Sequence, residues 1–327
     1  MKKYCYKTII KITKSQKGIA LILVLWVLII LMTLVLSFTL LVKTEVNSTI
    51  YFKEGIEKKF YAEAGIQRAI LEIFYNLKYK GETIEFEETK AWRTDGTPYD
   101  VEIGDGYFSV RITDESGKVD INTTPEIILR NLLINLGVSQ DDTDIIVDSI
   151  MDWKDSDDLY RLHGAESDYY MSLPNPYKAK NAPFDTVEEL LLVKGVTPSI
   201  LYGDNERKGL IDFITVHSNK NTINIKSAPK EVLASIPGMT PELADAIIEF
   251  RQYNELEDPS DIESILGENF AIFSKYVDTM DSDTFTIESS GYKSSTEPPY
   301  TIKATVTLVD DKNYNYLYYK SPVYKKE

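Results

Sequence analysis

Twenty-four consecutive residues, Ile19 through Val42 (19 to 42 inclusive), contain no charge, no proline and no glycine. As a helix rising about 1.5 Å per residue, this run is roughly 36 Å long, enough to cross a hydrocarbon core of about 30 Å. The 18 residues before it hold six lysines (Lys2, Lys3, Lys7, Lys11, Lys14 and Lys17) and no acid. Positive charge in front of a span holds that end in the cytoplasm, so the rest of the chain is expected on the far side. A secretory signal peptide would have a shorter apolar core followed by a small-residue cleavage site. Here the small residue precedes the run, as Lys17-Gly18-Ile19.

That junction resembles a class III leader, which a prepilin peptidase cuts on the cytoplasmic side, after the glycine. Two readings stand: a leader cut between Gly18 and Ile19, or a signal anchor that is never cut. The fifth residue from Ile19 is Leu23. Pilins and pseudopilins, which this segment resembles, usually carry glutamate there, and the carboxylate pairs with the amine of a neighbouring subunit. A charge in hydrocarbon costs several kcal/mol unless paired. A subunit with leucine at this position fits best as the first in a fibre, at its tip.

The remainder is long enough for one large or two ordinary domains. The net charge is −15; without the six leader lysines, 30 basic residues face 51 acids, about −21 (30 − 51). A nucleic-acid surface needs positive potential, so the balance argues against one. The single cysteine, Cys5, lies in the leader, so the folded body needs no disulfide.

Beyond Val42 the helix is expected to continue towards Leu77, giving more than fifty residues in all. Ile66, Ile70, Ile73 and Leu77 form one stripe for a core. Gly55 and Gly65 each cost that helix about 1 kcal/mol relative to alanine. Strands are expected at Thr83 to Phe86, Tyr99 to Ile103 and Tyr107 to Ile112, with turns at Gly104-Asp105-Gly106 and Asp114 to Lys118. From residue 119 to about 282 helical patterns dominate and a repeat appears. Val119-Asp120-Ile121-Asn122-Thr123-Thr124-Pro125 matches Ile223-Asn224-Ile225-Lys226-Ser227-Ala228-Pro229. Each copy reads as an extended arm, a small or hydroxyl residue able to cap a helix, and a proline in the first turn. Two further stretches, around Lys194-Gly195-Val196-Thr197-Pro198 and Pro237-Gly238-Met239-Thr240-Pro241, resemble helix-hairpin-helix turns. Where such turns hold a phosphate, a second glycine lets the backbone approach; here Thr197 and Thr240 replace it. These hairpins are read as packing elements. After residue 282 the period returns to two, with strands at Thr284 to Ser289, Tyr300 to Val309 and Asn313 to Tyr319. The tyrosines of the last strand are assigned to cross-strand packing, with an exposed docking surface as the alternative.

Between the repeats, Asp152, Asp155, Asp157, Asp158, Glu166 and Asp168 place six carboxylates within 17 residues (152 to 168). Oxygen ligands at this density suit calcium, and the spacing is not that of an EF-hand. A solvated acidic loop is the alternative. His163 and His217 are the only histidines and neither has a second zinc ligand nearby. No nucleophile–base pair or phosphate loop appears, so the chain is read as non-catalytic.

The order DWKDSDD, GAESDYY, NAPFDTVEELLLVKGVTP and INIKSAPKEVLASIPGMTPELADAIIEFR, together with the leader and Leu23, resembles the minor pseudopilin K family of type II secretion systems. The resemblance implies an α+β fold: a pilin-like long N-terminal transmembrane helix on an antiparallel sheet, with a large all-α, helix-hairpin-helix-like domain inserted in the sheet. It implies a leader (1–18), a membrane half of the first helix (19–42), a body in two parts (43–118 and 283–327) and the insertion (119–282). It also implies a tip complex with minor pseudopilins I and J, contact with the major pseudopilin and the inner-membrane assembly platform, and processing and methylation after prepilin peptidase cleavage. The location implied is the inner membrane, with the soluble body in the periplasm. Calcium is implied in the helical domain, with Asp152, Asp155, Asp157, Glu166 and Asp168 as candidate ligands. The other reading is a membrane-anchored helix-hairpin-helix DNA-binding protein of a DNA-uptake system.

Overall fold

In the computed structural model of the protein, residues 17–78, 92–204, 207–294 and 297–323 are described. The leader up to residue 16 and the strand expected at Thr83 to Phe86 lie outside the described residues. Helix α1 spans Lys17–Lys78, 62 residues. Its first part belongs to a compact unit that ends at Glu57, the rest to a second unit, Lys58–Glu327.

In the first unit the large apolar side chains from Ile19 to Val42 are exposed around the whole helix, the distribution expected where the solvent is lipid. Thr33 and Thr39 turn their hydroxyls onto the carbonyls of Ile30 and Val35, each at 2.8 Å. Those donors are thereby satisfied without water. Among the described residues α1 is the helix long and apolar enough to cross a membrane.

In the second unit α1 buries Ala62, Ile66, Ala69, Ile70 and Ile73. These steps of four, three, one and three keep to one helical face. The expected stripe therefore holds as far as Ile73 but not at Leu77, which is 42% exposed beside the end of the helix. The partner is a five-stranded antiparallel sheet in the order β1-β2-β7-β8-β9. Strand β1 is Asp95–Ile103 and β2 is Gly106–Asp114. Then come two short parallel pairs: β3 (Val119–Asp120) with β4 (Ile214–Thr215), and β5 (Ile223–Asn224) with β6 (Val277–Asp278). The sheet resumes with β7 (Thr284–Tyr292), β8 (Tyr300–Leu308) and β9 (Tyr314–Lys320). Phe108, Val110 and Ile112, then Phe285 and Ile287, then Ile302, Ala304 and Val306 alternate onto the face that meets α1.

Three glycines let helix and sheet approach closely. A Cβ at Gly65 would collide with Ser289 Oγ, one at Gly291 with the Lys58 carbonyl oxygen, and one at Gly106 with the Tyr61 ring of α1. Gly65 is thus required by packing, at the helix-propensity cost anticipated for it. Gly55, in the first unit, has nothing within 4 Å of that position.

Strand β2 pairs with β7 from Tyr107↔Tyr292 to Asp114↔Phe285. The chain therefore leaves the sheet after Asp114 and re-enters beside the same place. Here the sequence misleads. Asp114 to Lys118 reads as a polar surface turn, yet Asp114, Glu115, Ser116 and Lys118 are all buried. The Asp114 carboxylate accepts from Ser116 N (2.8 Å), Ser116 Oγ (2.8 Å), Ser282 N (3.1 Å) and Ser282 Oγ (2.6 Å). One side chain thus fastens both crossings between sheet and insertion, although burial pushes its carboxyl above the usual carboxylate range. Asp114→Asn puts an amide donor among these donors; a loss of about 1–2 kcal/mol is expected in denaturant unfolding.

The inserted repeat is a repeat in space. Asp120 Oδ1 accepts from Asn122 N at 2.9 Å and Asn224 Oδ1 from Lys226 N at 3.0 Å, so both arms end in the same side-chain turn. Helices α2 (Glu126–Asn135) and α6 (Lys230–Ser235) follow. The capping expectation fails in both copies. Pro125 and Pro229 occupy the N-cap positions without a side-chain cap, and the Thr124 and Ser227 hydroxyls are buried without a hydrogen-bond partner. Each helix then turns through a glycine at positive φ, Gly137 (+84°) or Gly238 (+87°), into a capped helix: α3 (Gln140–Lys154) or α7 (Pro241–Tyr253). Gly195 makes the same turn at +87°, into α5 (Pro198–Tyr202). The insertion meets the start of β1 through Arg251 on α7, whose Nε is 3.8 Å from Asp95 Oδ2. It donates to the Ile225 and Ala228 carbonyls at 2.9 and 2.8 Å, while Arg93 donates to its own carbonyl at 2.7 Å.

On the last strand, Tyr314 packs against Phe74 (centroids 6.3 Å apart) and edge-on against Tyr316 (5.5 Å). Tyr316, Tyr318 and Tyr319 are exposed.

Candidate metal centre

Helix α3 delivers the first carboxylates. Ser139 caps it by accepting from Asp142 N at 3.1 Å, and it ends with Asp152-Trp153-Lys154, Asp155 standing at its C-cap. Trp153 fixes this end. Its ring lies edge-on to Tyr170 at 5.1 Å and its Nε1 donates to Glu189 Oε1 at 3.1 Å. Lys154 turns the other way and donates to the Ile121 and Asn122 carbonyls at 2.8 and 3.1 Å, tying the loop to the first repeat arm. Burial draws its amine below the usual lysine range.

The returning strand of the loop is held from outside by Lys194, which donates to the His163 and Gly164 carbonyls at 3.1 and 2.9 Å. Gly164 has to be glycine: a Cβ there would collide with Asp152 Oδ2. Ala165 is buried, and Glu166 follows directly before α4 (Ser167–Met171).

This frame brings Asp152, Asp155 and Glu166 together, with one oxygen of each carboxylate within 4.8 Å of the others. Asp152 is 0% and Glu166 1% exposed. Both oxygens of Glu166, and Oδ1 of Asp155, are buried without a hydrogen-bond partner. Burial, then the charges of Asp152 and Asp155, push the Glu166 carboxyl up to about 7. Burial is also the largest cause that raises Asp152 and Asp155 above the usual range. Two buried acids and a half-buried third facing one another, with both oxygens of Glu166 unpaired, are unfavourable by themselves. A hard divalent cation, ligated by oxygen alone, turns each of those costs into a gain. The residues fit calcium on that ground.

The other two candidates lie elsewhere on the loop. Asp157 is exposed and accepts from Leu159 N at 2.9 Å. Asp168 is exposed and accepts from Tyr169 N at 2.6 Å in the first turn of α4. His163 is exposed, and its backbone N donates to Asp148 Oδ2 at 3.0 Å. A residue outside the acidic run joins the loop. Asn181 donates its side-chain amide to the Asp157 carbonyl at 3.3 Å, and its Oδ1 is buried without a partner. A single asparagine so far along the chain carries no spacing signal.

The hairpins present occupied helix starts. Thr197 accepts from Ile200 N and Thr240 from Leu243 N, both at 3.3 Å. The residues in place of the second glycine therefore cap the helices that follow.

Residues 111–202, which include this loop, match the family described as type II secretion system (T2SS), protein K. A type II secretion system protein K of Pseudomonas aeruginosa is 26% identical over 251 residues, 73% of this chain and 73% of its own length. Over most of its length the chain is similar to type II secretion system protein K. The protein K of Pectobacterium carotovorum is 31% identical over 133 residues, 39% of each chain. A protein of Escherichia coli (strain K12), described as a candidate protein K, is 26% identical over 200 residues. That match covers 57% of this chain and 60% of the relative, so the chain spans less than two thirds of that protein. A solved structure, of the GspK-GspI-GspJ complex from enterotoxigenic Escherichia coli, contains a chain with the same fold at a TM-score of 0.58. It is 17% identical, and the match covers 86% of this chain and all of that one. The architecture is the pilin-like α+β fold of that structure.

Proposed function

We propose that the chain is the tip subunit of a type II secretion pseudopilus, which starts assembly together with minor pseudopilins I and J and assists protein export across the outer membrane. The observation that carries this reading is the pilin-like frame interrupted between Asp114 and Thr284 by a helical block of its own core. A block of that size suits an end position better than the shaft of a fibre. Leu23, in place of a membrane-embedded acid, supports the same position. In this reading α1 anchors the chain once in the inner membrane, the second unit stands in the periplasm, and prepilin peptidase cuts between Gly18 and Ile19. The assembly platform and the major pseudopilin then extend the fibre behind it. Its chemistry is assembly. Asp152, Asp155 and Glu166 would hold the calcium, which supplies the positive charge their burial lacks. Lys154, Lys194 and Gly164 keep that loop in shape.

The test is detergent extraction of the tagged full chain from cells that also express minor pseudopilins I and J. Both partners are expected to co-purify in a fixed ratio. Purification of the chain alone under conditions where I and J hold each other would overturn the tip assignment. The DNA-binding reading makes the opposite forecast, retention of DNA at low salt, where nonspecific binding is strongest. With about −21 net charge after the leader (30 − 51) and capped hairpins, no retention is expected.

A further inference from the structure

The acidic centre has a basic neighbour of its own. Arg161 lies on the loop between Asp155 and Glu166, and its backbone N is 3.3 Å from both carboxylate oxygens of Asp152. Its guanidinium comes back to the same acid, with Nε 3.6 Å from Asp152 Oδ1. The far end of the guanidinium reaches α2, where NH1 donates to Glu126 Oε2 at 3.1 Å. The other oxygen of Glu126 is taken by Arg130 NH2 at 3.0 Å. Asp152 is fully buried, whereas the Arg161 side chain is 44% exposed. The acid is therefore enclosed, while the guanidinium bridges Asp152 and Glu126 at the edge of solvent.

We propose that Arg161 is a tethered cation that competes with a bound divalent ion for Asp152, and that Glu126 is the resting place that draws it away. This rests on the reading of Asp152, Asp155 and Glu166 as a calcium site. The guanidinium and the ion both draw on the negative charge of Asp152, so each weakens the hold of the other. The competition lowers calcium affinity and, at the same time, keeps the carboxylates partly neutralised at low calcium. The site is thereby set to respond to calcium over a higher range than its ligands alone would give. Arg161 is in this sense a positioning residue, since its guanidinium would act on the ion only through Asp152.

The experiment is a calcium titration of the full chain in detergent by isothermal calorimetry, with thermal melting in chelator as a second readout. Arg161→Gln should bind calcium on the order of tenfold more tightly and melt at a lower temperature in chelator. Arg161→Lys, which keeps the charge, should return towards the parent affinity. Glu126→Gln should act in the opposite sense and weaken calcium binding, because Arg161 then has only Asp152. Unchanged or weaker calcium binding by Arg161→Gln, with the parent chain binding normally, overturns the competition. Absence of calcium binding in the parent chain overturns the calcium site and the competition together.

Discussion

Gly291→Ala should cost the full chain about 3 kcal/mol or more in denaturant unfolding, although it adds a single methyl group. The new Cβ would collide with the Lys58 carbonyl oxygen and sit 2.7 Å from the Ala62 amide nitrogen. Both are backbone atoms of α1, and neither can rotate aside as a side chain would. Overpacking in a core commonly costs about 1–3 kcal/mol because neighbours move. Here the neighbour is a helix also pinned by Gly65 against Ser289 and Phe108, so the cost falls at the upper end or beyond. Gly55→Ala is the control. With nothing within 4 Å of the added atom, alanine should be neutral or gain up to about 1 kcal/mol from helix propensity. Equal midpoints for the two variants would mean that α1 does not approach the sheet this closely.

The second large effect is in the acidic loop, and its sign depends on calcium. In chelator the chain should be more stable at pH 5.5 than at pH 7.5. Glu166 titrates near 7 in the fold against an ordinary value of 4.5, so between those values the folded chain holds a proton that the unfolded chain has released. Stability therefore falls as pH rises through this window, by up to about 3 kcal/mol. Burial raises Asp152 and Asp155 in the same direction. Calcium at 100-fold over its dissociation constant should add about 2.7 kcal/mol at pH 7.5. Protons and calcium compete for the same oxygens, so saturating calcium should flatten or reverse the trend. Glu166→Gln should remove most of the slope in chelator and most of the calcium shift. A flat melting profile from pH 5 to 7.5 in chelator would show that the three carboxylates do not converge around an unpaired Glu166.

The sequence was most legible where one period governs one element. The charge-free run and the stripe through Ile66, Ile70 and Ile73 located α1 in both its settings, because lipid and a sheet each demand a simple pattern from a helix. Ala62 and Ala69 complete the buried face without standing out in a hydropathy stripe, because close approach is what selects small residues. Asp114 to Lys118 misled for the converse reason. Its polarity is local, while the partners that bury it, Ser282 among them, come from the far side of the insertion. The third hairpin turn, Gly137-Val138-Ser139, lacks the proline that marked the other two, although its glycine takes the same backbone conformation. In the acidic run, density pointed to the loop. Which carboxylates converge is decided by Gly164, by the clamps from Lys154 and Lys194, and by the helix end at Trp153, none of which is a matter of spacing.

The junction at Asp114 has a consequence for how this protein can be taken apart. Because Asp114 and Phe285 are paired neighbours, the helical block begins and ends at almost one point in space. Closing a loop between two such points costs little more for a long segment than for a short one, about 0.6 kcal/mol for each doubling of length. A tight reverse turn joining β2 directly to β7 would bridge the same gap. The sheet and the helical block are thus joined as a scaffold and a graft, and either piece is a natural unit for recombination.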